Sequence, residues 1–162
     1  MNAALDILTP RGQIAANDQL RAVEIVFGKA SGFNFISTAT NDSAAVDGFI
    51  VKDWIASGVA EVKSRDTSYE TLMGSFGGEW LLTYQKLLDI QKVSELLKIP
   101  GYGMLYLTQS NMVLVLILTN AAGVITCKHR IANTETQRTC NGGTTVRKNA
   151  YICVKGAKIY RG

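Results

Sequence analysis

The clearest pattern of apolar and polar positions lies between Val46 and Lys63, where two apolar runs of strand length follow each other. Such runs, rich in Val, Ile and Phe, predict two successive strands. Glu61 and Lys63 are two residues apart in the second of them, so their side chains share one face while Val62 points to the other. An acid and an amine side by side on a half-apolar strand are an unusual choice for packing.

The apolar spacing predicts a helix on each side of these strands. From Gln13 to Ala30, apolar residues recur at roughly helical spacing, and we expect this helix to end near Lys29. The segment from Glu79 to Ile99 has an apolar side and is stopped by Pro100, so it predicts a second helix. The run 33–38, which follows the first helix, predicts one further strand.

Two more strands and a loop complete the central part of the chain. The apolar runs 104–108 and 113–119 predict two strands joined by a turn at 109–111. The second run is apolar throughout, which favours a strand buried on both faces in a sheet covered by helices. The segment 66–78 has three glycines and no sustained period, and we expect a mobile loop able to close over a site. Together these elements predict an α/β fold.

The C-terminal part of the chain has a different pattern. Residues 124–127 predict one more strand, whereas 128–149 are polar and basic. The runs 151–154 and 157–160 flank a Lys-Gly pair, which is typical of a hairpin that closes the fold.

Composition bounds the size and the setting of the fold. With 162 residues and 47% hydrophobic content, the chain can bury a substantial core but is short for two domains. We expect one domain over 1–162, with a core at about 13–119 and a basic, β-rich C-terminal extension at about 124–162. The longest apolar run, 112–118, is too short to span a bilayer, and the N-terminus has no signal pattern. The sequence therefore predicts a soluble, cytoplasmic protein with no membrane partner.

Charge is distributed unevenly along the chain. Residues 128–162 hold eight Lys and Arg against one acid, whereas residues 1–127 hold nine against twelve. A basic segment on an acidic body suits a polyanionic partner such as DNA, although basic tails are also common as solubilising surface. The candidate contacts to phosphate are Lys128, Arg130, Arg138, Arg147 and Lys148.

Four soft metal ligands also lie in this part of the chain, namely Cys127, His129, Cys140 and Cys153. Four is the number that a structural zinc ion needs, but the closely paired Cys-x-x-Cys signature is missing. Chance clustering of reduced thiols is therefore favoured over a structural Zn²⁺ site.

The order of elements is helix, three strands, helix, strand, with Asp47 early in the second strand and Glu61-Val62-Lys63 in the third. This arrangement resembles the PD-(D/E)XK nuclease superfamily, and especially its small phage-encoded members. The resemblance covers about Gln13 to Thr119. It implies a restriction-endonuclease-like fold, in which a central mixed β-sheet is flanked by helices. One departure is plain, because the family's proline before the aspartate is Val46 here.

The resemblance implies a metal-dependent deoxyribonuclease. Asp47, Glu61 and the Val62 carbonyl would ligate Mg²⁺ or Mn²⁺, and Lys63 would orient or deprotonate the attacking water. These residue types suit the chemistry, because phosphodiester cleavage needs a nucleophilic water and stabilisation of phosphate charge, and carboxylates that hold Mg²⁺ supply both. An ordinary hairpin with solvated Glu and Lys side chains is the simpler alternative.

Three further residues are candidates because of their positions in the two helices. Glu24 in the first helix would be the additional metal ligand that some family members use, and the alternative is an ordinary solvated glutamate. In the second predicted helix, Gln85 or Lys86 would reach the site as a catalytic side chain. Consecutive side chains point about 100° apart on a helix, so we expect only one of the two to face inward.

We expect the protein to hydrolyse DNA in phage-type replication, recombination or repair, inside an infected bacterial cell. A junction-cleaving enzyme would act as a homodimer with two sites, and the apolar run 112–118 could serve either a core or a dimer interface. Two other classes of function stay open. One is a non-catalytic nucleic-acid-binding or host-defence-inhibiting module on the same fold, and the other is a globular protein of unrelated role with a zinc-stapled tail.

Overall fold

The computed structural model describes residues 9–38, 44–137 and 143–162. This part of the chain forms three α-helices and nine strands, so the protein is of the α/β class. The helices are α1 (Pro10–Phe27), α2 (Tyr69–Met73) and α3 (Tyr84–Leu97). The strands are β1 (Phe33–Ser37), β2 (Gly48–Lys52), β3 (Ile55–Arg65), β4 (Glu79–Thr83), β5 (Gly101–Leu107), β6 (Met112–Thr119), β7 (His129–Gln137), β8 (Thr144–Cys153) and β9 (Lys158–Arg161).

The strands form a six-stranded sheet and a three-stranded sheet. The larger sheet has the order β1-β2-β3-β5-β6-β9 and is mixed, because β3 and β5 run parallel while its other neighbouring strands are antiparallel. The smaller sheet has the order β4-β8-β7 and is antiparallel. A parallel pair needs a long crossover, and the connection from β3 to β5 contains α2, β4 and α3.

Buried side chains pack on both faces of the six-stranded sheet. One cluster joins it to α3 and the smaller sheet, and includes Val59, Leu87 and Ile152. The other joins the opposite face to α1, and includes Val26 and Val62. The strand β3 contributes Val59 to the first cluster and Val62 to the second. In the C-terminal half of β3, the odd-numbered side chains therefore face α3 and the even-numbered side chains face α1. The predicted sheet with helical cover on its faces is confirmed in this coarse sense.

Several elements agree with the sequence pattern. The strands β1, β2, β3, β5 and β6 are confirmed, and so is the turn before β6, which contains the 3₁₀ segment Thr108–Ser110. The expectation that β6 is buried on both faces is wrong, because Ile117 is 52% exposed. The first helix begins three residues and ends about two residues earlier than predicted. Its start is set by Thr9, whose hydroxyl accepts a hydrogen bond from the Gly12 N–H at 3.0 Å, and by Pro10 in the first turn.

The second predicted helix begins too early in the sequence-based assignment. Residues Glu79–Thr83 are strand β4, not helix, and α3 starts at Tyr84. Burial alternates along β4, with Trp80 and Leu82 inside, and Leu82 pairs with Ala150 of β8. The tertiary partner overrides the local helical pattern, since a strand needs the distant β8 to satisfy its backbone.

The predicted hairpin at the C-terminus is wrong. The strand β8 pairs with β4 and β7 in the smaller sheet, whereas β9 pairs with β6 in the larger one. The segment 154–157 therefore crosses between the sheets. Residues 124–127 form only an isolated bridge between Ile125 and Thr119. Ala150 and Ile152 of β8 are fully buried, so part of the predicted C-terminal extension packs into the core.

The segment 66–78, predicted as an irregular loop, contains the short helix α2. Ser68 caps this helix, since its hydroxyl accepts a hydrogen bond from the Thr71 N–H at 3.1 Å. The Tyr69 N–H donates to the Ser110 hydroxyl at 2.7 Å, and Leu72 is buried. None of the helices in the described ranges combines the length and the apolarity that a membrane crossing requires.

Candidate active site

The candidate site lies where the pairing of β2 with β3 ends. The last paired residues are Gly48 and Ala60, and just before them the Asp47 N–H donates to the Ala60 carbonyl at 3.0 Å. The strand β3 continues to Arg65 along β5. Within the described residues, no strand covers the other edge of β3 beyond Ala60. This edge is therefore open to side chains.

Asp47 fills part of the open edge. Its Oδ2 accepts a hydrogen bond from the Val62 N–H at 2.8 Å, in place of a neighbouring strand. The same oxygen lies 3.5 Å from Lys63 Nζ. The backbone contact fixes the Asp47 carboxylate over β3, next to the side chains of Glu61 and Lys63.

Glu61 and Lys63 form the centre of the site. Lys63 Nζ lies 2.7 Å from Glu61 Oε1, and the two side chains share the face of β3 that packs towards α3. Glu61 is fully buried, while the Lys63 side chain keeps 29% of its surface exposed. The spacing in the sequence predicted this shared face.

Lys86 is contributed by the first turns of α3. Its Nζ lies 3.6 Å from Glu61 Oε2 and donates a hydrogen bond to the Ala44 carbonyl at 3.0 Å. Gln85 points elsewhere, since its amide donates to Asp89 Oδ1 at 2.8 Å on the exposed side of the helix. Of the two alternatives that the sequence left open, Lys86 is the residue that joins the cluster. We call Asp47, Glu61, Lys63 and Lys86 the charged cluster.

The charged cluster perturbs its own titration. Burial raises the pKa of Glu61 above its ordinary value, and Lys63 and Lys86 only partly offset this effect. Burial alone would lower the pKa of Lys63, but the carboxylates of Glu61 and Asp47 outweigh it and raise that pKa. The Glu61 carboxylate pairs with both ammonium groups, and the 2.7 Å contact with Lys63 Nζ is within hydrogen-bond distance, whereas Lys86 Nζ lies 3.6 Å away.

Gln19 of α1 is a residue of the site that the sequence reasoning missed. Its side-chain amide donates a hydrogen bond to the Val62 carbonyl at 3.0 Å. Gln19 lies three and seven residues before the buried Ala22 and Val26, and therefore on the face of α1 that packs against the sheet. A polar residue in line with an apolar helix face was the signal available in the sequence.

Glu24 does not join the charged cluster. Its side chain is 69% exposed and pairs with Arg21 at 3.5 Å. It lies five residues after Gln19, which rotates it by about 140° around α1. The first helix thus approaches the site through an amide and not through the carboxylate that family resemblance favoured.

The oxygen atoms of the site fit a hard divalent cation. Two carboxylates, from Asp47 and Glu61, converge with the Val62 carbonyl at one strand edge, and oxygen ligands are those that Mg²⁺ and Mn²⁺ take. A carboxylate oxygen has more than one lone pair, so the contacts of Glu61 with Lys63 and Lys86 leave acceptor capacity for a cation. The described residues contain no group of three or more His, Cys, Asp or Glu side chains that could hold a metal ion.

The predicted phosphate contacts lie on the smaller sheet. Arg130 on β7 pairs with Glu79 at 2.6 Å and stacks over the Tyr151 ring at 3.9 Å. Lys148 on β8 lies over the ring of Tyr84, 4.6 Å from its centre, beside the first turn of α3. The neighbouring Arg147 is half-buried on the opposite face, and Lys128 is exposed just before β7. Arg138 lies outside the described residues.

Two of the predicted soft ligands are neighbours. Cys127 Sγ lies 4.0 Å from His129 Nδ1, which also contacts the Cys127 carbonyl at 2.9 Å. Burial raises the pKa of the Cys127 thiol to about 11. Cys153 is half-buried on β8, and Cys140 lies outside the described residues.

Comparisons with family models, with curated proteins and with solved structures gave no match to this chain.

Proposed function

We propose that the protein is a Mg²⁺- or Mn²⁺-dependent deoxyribonuclease of the PD-(D/E)XK type. The observation that carries the proposal is the position of Lys63, whose ammonium lies between the carboxylates of Asp47 and Glu61 at 3.5 and 2.7 Å. The element order α1, β1, β2, β3, α2, β4, α3, β5 supports the proposal, because it contains the helix, three strands, helix and strand on which the resemblance rests, with α2 and β4 inserted before α3. The motif residues come together although Asp47 and Glu61 are separated along the chain.

Asp47, Glu61 and the Val62 carbonyl would hold the metal ion, which would lower the pKa of a bound water and stabilise charge on the phosphate. Lys63 orients the water and offsets the charge of the scissile phosphate. Its ammonium lies beside both carboxylates, where it can act as a hydrogen-bond donor and as a positive charge. Lys86 adds a second positive charge beside Glu61.

DNA is the proposed substrate because an exposed cation, Lys148, lies beside the first turn of α3, the helix that also carries Lys86. Lys148 contacts Tyr84 at the beginning of α3, two residues before Lys86. A phosphate backbone that follows β8 would therefore approach the helix that carries Lys86. Such contacts position a nucleic acid without reading its sequence.

A non-catalytic DNA-binding module is a second candidate function, and one observation favours it. The two carboxylates and two ammonium groups of the charged cluster balance each other without a metal ion. In that case the cluster would serve only to join β2, β3 and α3. Cleavage assays separate the two candidates directly.

The test is a cleavage panel of single-stranded, duplex and branched DNA with Mg²⁺ or Mn²⁺. We expect cleavage that stops with chelator, falls below detection in Glu61→Gln, and falls about 10²–10⁴-fold in Lys63→Met. Glu70→Gln removes an exposed acid from α2 and is the matched control, which should cleave normally. Circular dichroism verifies folding. Full activity in either cluster variant, or activity that resists chelation, would overturn the proposal.

A further inference from the structure

Side chains bond to both backbone polar groups of Val62, its N–H and its carbonyl. Ala60 bonds towards β2, and alternate residues of a strand direct their backbone groups to the same edge, so Val62 also faces the edge that β2 leaves open. Its N–H donates to Asp47 at 2.8 Å, and its carbonyl accepts from Gln19 at 3.0 Å. Gln19 thus completes the edge of the site on the carbonyl side.

Gln19 is well placed to fix that carbonyl. It comes from the packed helix α1, where Ala22 and Val26 on the same face are buried against the sheet. A carbonyl oxygen has two lone pairs, so the hydrogen bond from Gln19 leaves one for a cation. The Gln19 amide therefore fixes the direction of the Val62 carbonyl, a proposed metal ligand, and leaves one of its lone pairs free.

Because the Gln19 side chain is uncharged, it limits the number of divalent cations that the site can bind. Two divalent ions in one site lie about 3.5–4 Å apart and repel each other unless carboxylates surround them. The charged cluster offers only Asp47 and Glu61, and Lys63 and Lys86 offset both. The helix α1 adds an amide at this position, and Glu24 is turned away to Arg21.

We propose that Gln19 is a positioning residue that orients the Val62 carbonyl and limits the site to a single divalent cation. This inference rests on the proposed function, since it assumes that Asp47, Glu61 and Val62 hold a metal ion. In addition, one uncharged side chain of α1 would set both the affinity of the site for divalent cations and the number of cations bound.

The experiment is a Mn²⁺ titration of chelator-treated full-length protein, followed by electron paramagnetic resonance and without any nuclease assay. We expect one Mn²⁺ per chain in the wild type. Gln19→Met keeps the side-chain length but removes the donor, and should bind the single ion about tenfold more weakly. Gln19→Glu supplies a third carboxylate and should bind a second Mn²⁺. Gln13→Met and Gln13→Glu alter an exposed glutamine of α1 and should match the wild type.

The outcomes separate this inference from the proposed function. A wild type that binds no Mn²⁺ would overturn both. Two ions in the wild type, or an unchanged affinity in a folded Gln19→Met, would overturn the role of Gln19 and leave the nuclease proposal standing. If Gln19→Met does not fold, Gln19→Glu decides, because wild-type affinity and a single ion in that variant would contradict the limit on ion number.

Discussion

The charged cluster and the smaller sheet both concentrate charge, but they hold it in opposite ways. In the cluster, Glu61 is fully buried, and its two ammonium partners keep less than a third of their side-chain surface exposed. On the smaller sheet, the Arg130 side chain is 55% exposed and its partner Glu79 is 31% exposed. Charges in the cluster interact strongly because little water separates them, whereas those on the sheet are screened by solvent and salt.

This difference assigns separate roles to the two regions. Groups that interact strongly and cannot reorient suit chemistry at one phosphate, as in a preorganised site. Exposed cations suit contact with a long polyanion, where each contributes a small, salt-dependent share of affinity. Lys148 belongs to the second kind, and the described residues give it no ion-pair partner, only the ring of Tyr84. Arg130, by contrast, already forms an ion pair with Glu79.

We expect the largest difference in activity between variants of two adjacent residues of α3, Lys86 and Gln85. Lys86→Met removes an ammonium 3.6 Å from Glu61, so we expect kcat on DNA to fall about a hundredfold. Gln85→Met changes the adjacent residue, whose side chain bonds to Asp89, and should leave kcat unchanged. Single-turnover cleavage at saturating DNA measures both. Equal losses in the two variants would mean that α3 matters for folding and not for the charged cluster.

The sequence could predict the shared face of Glu61 and Lys63, but not which of Gln85 and Lys86 faces the site. The two-residue period placed Glu61 and Lys63 on one face, because a strand's geometry is local. The choice between Gln85 and Lys86 depended on the rotation of α3. That rotation is set by packing of Leu87 and Ile90, which no local pattern fixes when the helix start is misplaced.

Long-range pairing accounts for the larger errors. Glu79–Thr83 is a strand only because β8 lies beside it, and β8 is far away along the chain. The C-terminal hairpin was wrong for the same reason, since β8 and β9 each found a partner in a different sheet. Gln19 was missed because the sequence shows only a polar residue in line with an apolar helix face, and not that its partner is a backbone carbonyl of β3.

A moderate effect on DNA binding would test the role of the exposed cations. Lys148→Gln removes a charge beside α3, so the slope of log affinity against log salt should become shallower by about one. Lys98→Gln removes the same charge at the C-terminal end of α3, about 20 Å away along the helix, and should keep the slope. Fluorescence anisotropy across a salt series measures the binding of catalytically inactive Glu61→Gln backgrounds. Equal changes in both variants would mean that only net charge matters.

The smallest expected effect is on the pH dependence of folding stability. The contributions of Glu79 and Glu61 to stability should change in opposite directions as the pH falls. Hydrogen bonds from Arg130 lower the pKa of Glu79, so this carboxylate stabilises the fold above its unfolded-state pKa, and the contribution is lost as pH falls through the lowered value. Burial raises the pKa of Glu61, so its contribution is complete at acid pH and is lost as pH rises through the raised value.

Thermal melting of Glu79→Gln and Glu61→Gln against the wild type, from neutral pH downwards, checks these opposite signs. On acidification, the advantage of the wild type over Glu79→Gln should shrink, and it should shrink further in high salt because the pair with Arg130 is exposed. Relative to Glu61→Gln, the wild type should instead gain stability on acidification, because the neutral carboxyl no longer carries a buried charge. If both differences moved in the same direction, the distinction between a buried and a solvated charge system would fail.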